Sequence, residues 1–379
     1  MIDRLKQAIA RGAYAGSRLL LWPLNRILCV AFRNRGYRPR SVLHVSYMVH
    51  IPWQATRELR KLGWHADYLG IGNSPHWTRC DIKAPDSHAL VRAFVEFWFF
   101  WTVMARYEAV HLHFMLTPSQ DAWEPELLRR MGRAVVAHFR GCEARERAKN
   151  MRLHPEMNIC HNCDYNATVC SSSNSVRRRE LAKIWATATL VTTPDMLDFM
   201  PSAEVSSFFA PDVDAPIEHA GWDGARPLRL VHATNHPGIE GTDEIRAAVR
   251  RLRDKGYAIE FQVLSDVSHA TVLQALRDSD LAIGKMKMGF YANSQIESMA
   301  LGVPTLTWVR PEFMTPELRA SGFIVCHLRD LEATIEHYLM HPEALNEKRR
   351  LARSSILRLH DNSEIASRMV RAYTEMRSQ

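Results

Sequence analysis

One acid, Glu297, sits in GFYANSQIESMALGVPTL (289–306), between a loop of small residues and a short apolar run entered through Gly302 and Pro304. LAIG (281–284) reads as a buried strand, KMKMGFYANS as the loop leaving its carboxyl end, and 293–301 as the helix that follows. In open parallel sheets, ligands gather beyond the carboxyl ends of the strands. The free N–H groups and dipole at the head of such a helix, near Asn293 or Ser294, attract phosphate. Lys285 and Lys287 add positive charge just upstream, and Gly289, Ala292 and Ser294 let the backbone approach a ligand closely. Glu297, one turn into the helix, is then placed to accept hydrogen bonds from sugar hydroxyls. These groups suit a nucleoside diphosphate with its ribose. The plainer alternative is a glutamate that answers only the helix dipole.

A matching loop opens the same half of the chain, HATNHPGIEGTDEI (232–245). A strand ends at Thr234, Gly238 and Gly241 allow a tight loop, and Thr242 is placed to cap the next helix, whose first turn carries Asp243 and Glu244. Asn235, Gly241 and Thr242 are therefore candidates for a second edge of the same ligand.

A third cluster is CHNCDYNATVC, where Cys160, Cys163 and Cys170 are spaced C-x₂-C-x₆-C. The first pair has the bite of a zinc knuckle, and Cys142, His154 and His161 compete to be the fourth ligand. The expectation is a closed structural zinc stapling a loop, with Cys142 completing the set. Free thiols or a disulfide are the alternatives, the latter disfavoured in a cytoplasmic chain. NAT at 166–168 has the form of a glycosylation sequon, which carries no meaning in that compartment. His44, His111 and His113 lie on strand patterns and read as satisfied core or cleft histidines rather than catalysts. No Ser/His/Asp arrangement and no Walker loop is readable.

The elements that must position these groups alternate along the chain. SVLHVS (41–46), HADYLGI (65–71), AVHLHF (109–114), RAVVAHF (133–139) and TLVTT (189–193) read as strands, with helices at 53–63, 86–107, before Gly132, and at 177–187. A second alternating half begins with LRLVHAT (228–234) and continues through YAIEFQVL (257–264), LAIG, PTLTWV (304–309) and FIVCHL (323–328). Ser268 is placed to cap a helix running to about residue 278. Strand–helix alternation of this kind makes parallel sheets covered by helices on both faces. The 379 residues have room for two such domains. The expected division is a basic N-terminal segment 1–40, a first domain 41–215 with a Cys-rich loop at 140–176, and a second domain 216–350. The helices of 351–379 would pack back on the first domain. The stretch 211–227, with three prolines and two glycines, is the expected linker.

The net charge of +8 favours anionic partners. No nucleic-acid-binding signature is present, so nucleic acid is not an expected partner. No run of about 20 uncharged apolar residues is present either, so no membrane span is expected. Two segments nevertheless suit a membrane surface. Residues 1–40 carry nine Lys/Arg and one acid around LLLWPL (19–24), and 94–101 hold six aromatics in eight residues. Each also has the plainer reading of a helix packed on its domain.

Most of 41–340, and 232–306 in particular, resembles retaining glycosyltransferases of the GT-B type in the broad family-4 group. The resemblance rests on the order HATNHPGIEGTDEI, then DSDLAIGKMKMGFYANSQIESMALGVPTL, with YEAVHLHF, VVAHFRGCEAR and TLVTTPDML in order before them. It implies two Rossmann-like doubly wound domains facing across a cleft. A nucleotide-sugar would bind mainly to the second and an acceptor mainly to the first. Glu297 would hold the donor ribose, with Ser294 near the diphosphate. Where the family carries an earlier glutamate this chain has Gly289, and where it often has Lys before the loop glycine this chain has Glu240. Where it often has His near the reacting sugar, this chain has Arg140, with Glu143 just after, and these two are the catalytic candidates. Lys285 or Lys287 would stand in for the missing phosphate cation. Because the leaving diphosphate can be stabilised by fixed N–H groups and a cation, and no Asp-x-Asp pair ends a strand, no metal is expected in catalysis.

The resulting expectation is a retaining glycosyltransferase, cytoplasmic and peripheral on the inner face of the cell membrane. It would build cell-surface polysaccharide or lipopolysaccharide from a nucleotide-sugar and a glycan or lipid-linked acceptor. A nucleotide-sugar epimerase on the same fold and a non-catalytic scaffold are the rival readings.

Overall fold

The structure, a computed structural model, describes residues 2–74, 77–88, 90–119, 121–165, 172–213 and 221–374. A long helix, α1 (Ile2–Ala31), precedes the first sheet. That sheet is built from β1 (Arg38–Tyr47), β2 (His65–Ile71), β3 (Ile82–Lys83), β4 (Tyr107–His113), β5 (Ala134–Phe139), β6 (Ala188–Val191) and β7 (Glu204–Val205). Its strands run in the order β3-β2-β1-β4-β5-β6-β7, all pairs parallel. Helices α2 (His50–Lys61), α3 (Arg92–Thr102), α4 (Glu124–Arg130), α5 (Arg147–Leu153) and α6 (Ser172–Trp185) lie between the strands in sequence.

The second sheet has β8 (Leu228–Ala233), β9 (Ile259–Leu264), β10 (Leu281–Ile283), β11 (Thr305–Thr307) and β12 (Phe323–Val325), in the order β12-β11-β10-β8-β9, again all parallel. Its helices are α7 (Pro237–Glu240), α8 (Thr242–Asp254), α9 (His269–Arg277), α10 (Asn293–Ala300), α11 (Pro316–Arg319), α12 (Leu331–Met340) and α13 (Pro342–Leu359). The last helix, α14 (Asn362–Thr374), leaves this domain and packs on α2 and β5 of the first. Ile365, Ala366, Met369 and Tyr373 bury one stripe of α14 among Val42, Ala55, Leu59 and Val136.

Strands β4 and β5 are buried along their whole length and β1 from Ser41 to Ser46, as expected of parallel strands covered on both faces. Each sheet has its own core, one centred on Leu43, Phe100, Val110 and Phe139, the other on Leu230, Ile245, Leu281 and Leu306. The helix expected over 86–107 is shorter, 92–102, and ends in a 3₁₀ turn at Met104–Arg106 that feeds β4. Ser268 caps α9 as expected, accepting from the Thr271 amide. The expected linker 211–227 falls partly on 214–220, outside the described residues.

Candidate functional site

On the second domain, β10 ends at Ile283 and the chain re-enters helix at Asn293. Gln295 folds back so that its Oε1 accepts from the Ala292 amide at 2.7 Å, fixing the start of α10. Gly289 takes a left-handed φ of 84°, and its carbonyl accepts from the Arg310 amide at 3.0 Å. A Cβ at Gly289 would lie 2.7 Å from Arg310 Cγ, so the position is held for glycine by both backbone and neighbour. Glu297 is 4% exposed. Its Oε1 accepts from Asn293 Nδ2 at 2.9 Å and from His269 Nε2 at 2.9 Å, and among the described residues Oε2 has no partner. The bond to Glu297 raises the His269 pKa against the opposing effect of burial.

Asn293 also reaches the first domain. Its Nδ2 donates to His50 Nε2 at 3.0 Å, and the His50 and His269 rings stack with centroids 6.0 Å apart. His50 opens α2 just beyond the carboxyl end of β1. Burial lowers its pKa, Glu297 acts to raise it and Arg140 to lower it, so the imidazole feels a charge from each domain. Arg140 follows β5 at the same carboxyl edge of the first sheet from which His50 meets Asn293, so Arg140 and Glu297 lie at sheet edges that face each other.

The loop after β8 makes the turn expected of it, with differences. Gly241, at φ 88°, both ends α7 and opens α8. Thr242 is accordingly the first helical residue, not the cap. It is fully buried, and its hydroxyl bonds His232 Nε2 at 2.9 Å. Asn235 is exposed and accepts from the Asp266 amide at 3.4 Å. Lys285 and Lys287 do come to this loop, but not as free charges: Lys285 pairs with Glu240, and Lys287 pairs with Glu244 at 2.5 Å. The glutamate that replaces the usual lysine thus cancels the lysine expected to substitute for it.

On the first domain, the alternation in AVHLHF sends His111 and His113 to one face of β4, where His44 of β1 and His138 of β5 join them. All four are fully buried. Arg140, part-exposed at the end of β5, donates to His113 Nδ1 from Nε at 2.9 Å and from Nη2 at 2.8 Å. Because arginine only donates, His113 must carry its proton on Nε2, which donates to His44 Nδ1 at 2.9 Å. His44 Nε2 then lies 3.5 Å from the Tyr373 hydroxyl, Tyr373 donates to His111 Nδ1 at 2.8 Å, and His111 Nε2 to His138 Nδ1 at 3.0 Å. His138 Nε2 lies 3.2 Å from Thr192 Oγ1, which donates to the Phe139 carbonyl at 3.2 Å. One direction runs through the whole chain, and it is set by Arg140. Burial pushes the His44 pKa down to about 3 and those of His111, His113 and His138 well below the usual value, with the Arg140 charge adding to the effect.

His44, His111 and His113 are also the one group of three metal-ligating side chains, among the described residues, whose ligand atoms all lie within 4.8 Å of one another. The bonding argues against a cation there: each ring nitrogen already has a partner, and a guanidinium caps the stack. The four histidines read as a satisfied network that orients Arg140. Glu143, the other catalytic candidate, holds the turn that follows β5. Its Oε1 accepts from the backbone amides of Arg140 and, at 3.0 Å, Gly141, and the residue is 6% exposed.

In the Cys-rich loop, Cys160 is buried and Cys142 and Cys163 are part-buried, and their sulfur atoms do not all lie within 4.8 Å of one another. Burial raises the Cys142 pKa to about 11. Cys170 falls outside the described residues. The loop reaches the second domain: Asp164 Oδ2 accepts from the Gly238 amide at 3.3 Å, and the Tyr165 and His236 rings lie 3.9 Å apart. It therefore leans on the same turn that carries Gly241.

Sequence reading missed His50, His269, Tyr373 and Arg310. Arg310 follows β11 and joins the domains through Nη1 to Asp198 Oδ2, 2.7 Å, with His154 on the same carboxylate oxygen at 2.9 Å. The His-x-His of β4 was a readable signal that two imidazoles share a face. Tyr373 had none, because only the return of α14 brings it there.

No protein-family model matches the sequence, and neither does any curated protein compared with it. Among solved structures, the chain is similar to sucrose-phosphate synthase from Thermosynechococcus elongatus, at TM-score 0.59 and 13% identity over 89% of this chain and 99% of that one. The catalytic domain of starch synthase IV from Arabidopsis thaliana, bound to ADP and acarbose, matches at TM-score 0.59 and 10% identity with the same coverage. TarM matches at TM-score 0.50 and 11% identity over 74% of this chain and 58% of its own. The architecture is that of the GT-B glycosyltransferases: two parallel-sheet α/β domains.

Proposed function

We propose that this chain is a retaining glycosyltransferase that moves a sugar from a nucleotide-sugar to a saccharide or lipid-linked acceptor. The observation that carries the reading is Glu297. Its Oε1 is fixed by Asn293 and His269 at the head of α10, its Oε2 has no partner among the described residues, and His50 stands across the cleft. A carboxylate held so is preorganised to accept ribose hydroxyls, and the N–H groups that open α10 face the diphosphate. The GT-B fold supports the class. Starch synthase IV holds ADP and a TarM variant from S. aureus holds UDP in solved structures.

Breaking the donor's glycosidic bond requires the charge that develops on the leaving diphosphate to be stabilised. With Lys285 and Lys287 paired internally, that role falls to the backbone N–H groups of Asn293 and Ser294 rather than to a free lysine. The acceptor in this reading is lipid-linked and the work is on cell-surface polysaccharide at the cytoplasmic face of the membrane; what α1 and α3 support is contact with a membrane surface. Leu20, at 78% exposed, and Val30, at 77%, lie on the side of α1 opposite Tyr14, Leu21 and Cys29, while Trp98 of α3 is 68% exposed. Among the described residues no helix is long and apolar enough to cross a membrane, so contact would be with one leaflet. A structural zinc on Cys142, Cys160, Cys163 and Cys170 completes the reading.

A thermal-shift panel of nucleoside diphosphates tests it: one base should raise the melting temperature, and Glu297→Ala should abolish the shift. NMR of the product's anomeric proton then reports retention or inversion. No shift with any nucleotide would favour a binding scaffold on this fold.

A further inference from the structure

Part-exposed Arg140 differs from the buried arginines. Arg145 pairs with Asp195 at 2.7 Å and Arg310 with Asp198 at 2.7 Å, while Arg133 gives its N–H groups to carbonyl oxygens, among them Arg35 at 2.6 Å and Met131 at 3.1 Å. Among the described residues, Arg140 has no carboxylate within ion-pair reach and none of those carbonyls. Its partners are the nitrogens of His113 and His138 and, at 3.4 Å, the Thr192 hydroxyl, which leaves one hydrogen on Nη1 unclaimed among the described residues. The nearest acid, Glu143, directs Oε1 to backbone amides instead. The imidazoles around it are neutral and cannot spread its charge, and burial lowers its own pKa only to about 9, so it stays cationic at neutral pH.

A fixed, part-exposed guanidinium at a strand's carboxyl end, facing a cleft and lacking an anion, is costly to enclose unless the substrate brings the anion. The diphosphate has its own place at the head of α10, on the opposite domain. We propose that Arg140 binds an anionic group on a sugar in the cleft, so that one of the saccharide substrates, donor or acceptor, is acidic. A carboxylate or a phosphate fits the planar fork of donors. This rests on the cleft being a nucleotide-sugar site.

The test uses the full chain and whichever of UDP, GDP, ADP and dTDP stabilises it. In the donor arm, the glucosyl and glucuronosyl conjugates of that diphosphate are titrated by calorimetry. In the acceptor arm, mannose and mannose 6-phosphate are titrated into protein saturated with the diphosphate. In one arm the acidic member should bind about ten- to a hundredfold tighter than the neutral one. The preference should vanish in Arg140→Gln and persist in part in Arg140→Lys, with affinity for the diphosphate itself unchanged. The arm that responds assigns the anion to donor or acceptor. Because Arg140 orients His113, melting curves accompany each variant. If Arg140→Gln does not fold, Arg140→Lys, which keeps the charge without the fork, must lower the preference. Diphosphate binding with no Arg140-dependent preference in either arm overturns the proposal alone. So does a loss of diphosphate affinity in Arg140→Gln, which would place Arg140 on the leaving group. Failure of every diphosphate to bind overturns the glycosyltransferase reading and this inference together.

Discussion

Nε2 of His269 lies 2.9 Å from Oε1 of Glu297, so the acid facing the cleft is anchored from a neighbouring helix of its own domain. Replacing Glu297 with alanine should therefore remove the ribose contact and free both His269 and Asn293. Nucleotide affinity should fall about ten- to a hundredfold, as for a lost charge-assisted hydrogen bond. His269→Ala should cost less, because Asn293 still holds the carboxylate. Calorimetric titration of the two variants checks the order, and equal losses would contradict it.

The buried histidines make stability depend on pH in a stated direction. His44, His111, His113 and His138 have folded pKa values below the unfolded one, so the unfolded chain binds more protons as pH falls below about 6.5. Stability should drop from neutral pH towards about 3, by up to about 1.4 kcal/mol per pH unit for each histidine. The exposed His269 works the other way, its raised pKa giving a contribution that is present in acid and lost as pH rises through that value. Urea unfolding at pH 7.5, 6.5 and 5.5 reads the net slope, to which His50 and buried His232 and His360 add in the same direction and buried Glu124 and Glu96, with raised values, in the opposite one.

Tyr373→Phe should interrupt the relay between His44 and His111 without changing shape. A buried imidazole nitrogen left unpaired costs about 1–3 kcal/mol, visible as a lower denaturation midpoint. If the midpoint does not move, the hydroxyl is not part of the network.

The membrane reading is best tested by substitution, because α1 is part of the first domain. Tyr14 donates to Glu96 at 2.6 Å, Asn25 accepts from Trp101 at 2.8 Å, and Cys29 is buried, so removing residues 1–40 would open the core. Leu20→Asp with Trp98→Asp should keep the fold and release the protein from anionic vesicles by at least about tenfold in flotation.

If zinc staples the Cys-rich loop, protein purified without chelator should carry about one zinc per chain by elemental analysis. Its removal should weaken nucleotide binding as well as lower the melting temperature, since the loop supports the 234–241 turn through Asp164 and Tyr165. Retained affinity after stripping would confine the metal to a local role.

Much of the fold was legible because parallel strands and amphipathic helices leave strong periodic signals. HADYLGI is β2 at its written bounds, and LRLVHAT overshoots β8 by one residue. Glu297 could be placed because its surroundings are local: strand, small-residue loop, helix. The partners that decide charge were not legible. That Lys285 meets Glu240, and that Arg140 meets histidines instead of an acid, depends on loops converging from strands far apart in sequence. Thr242 was misplaced by one position because Gly241, in the left-handed region, takes the cap itself.

The return of α14 has a consequence for synthesis. His111 and Tyr373 are 262 residues apart in the chain, yet they share a 2.8 Å hydrogen bond in the floor of the first domain. A ribosome that has finished all seven strands of that domain has not yet made the residue that closes its buried histidines. The nascent first domain must wait through the whole second domain, with polar groups uncapped and the apolar groove for Ile365 and Met369 open to water. The last helix thus acts as a completion check: only a chain translated through Tyr373 can seal the domain made first.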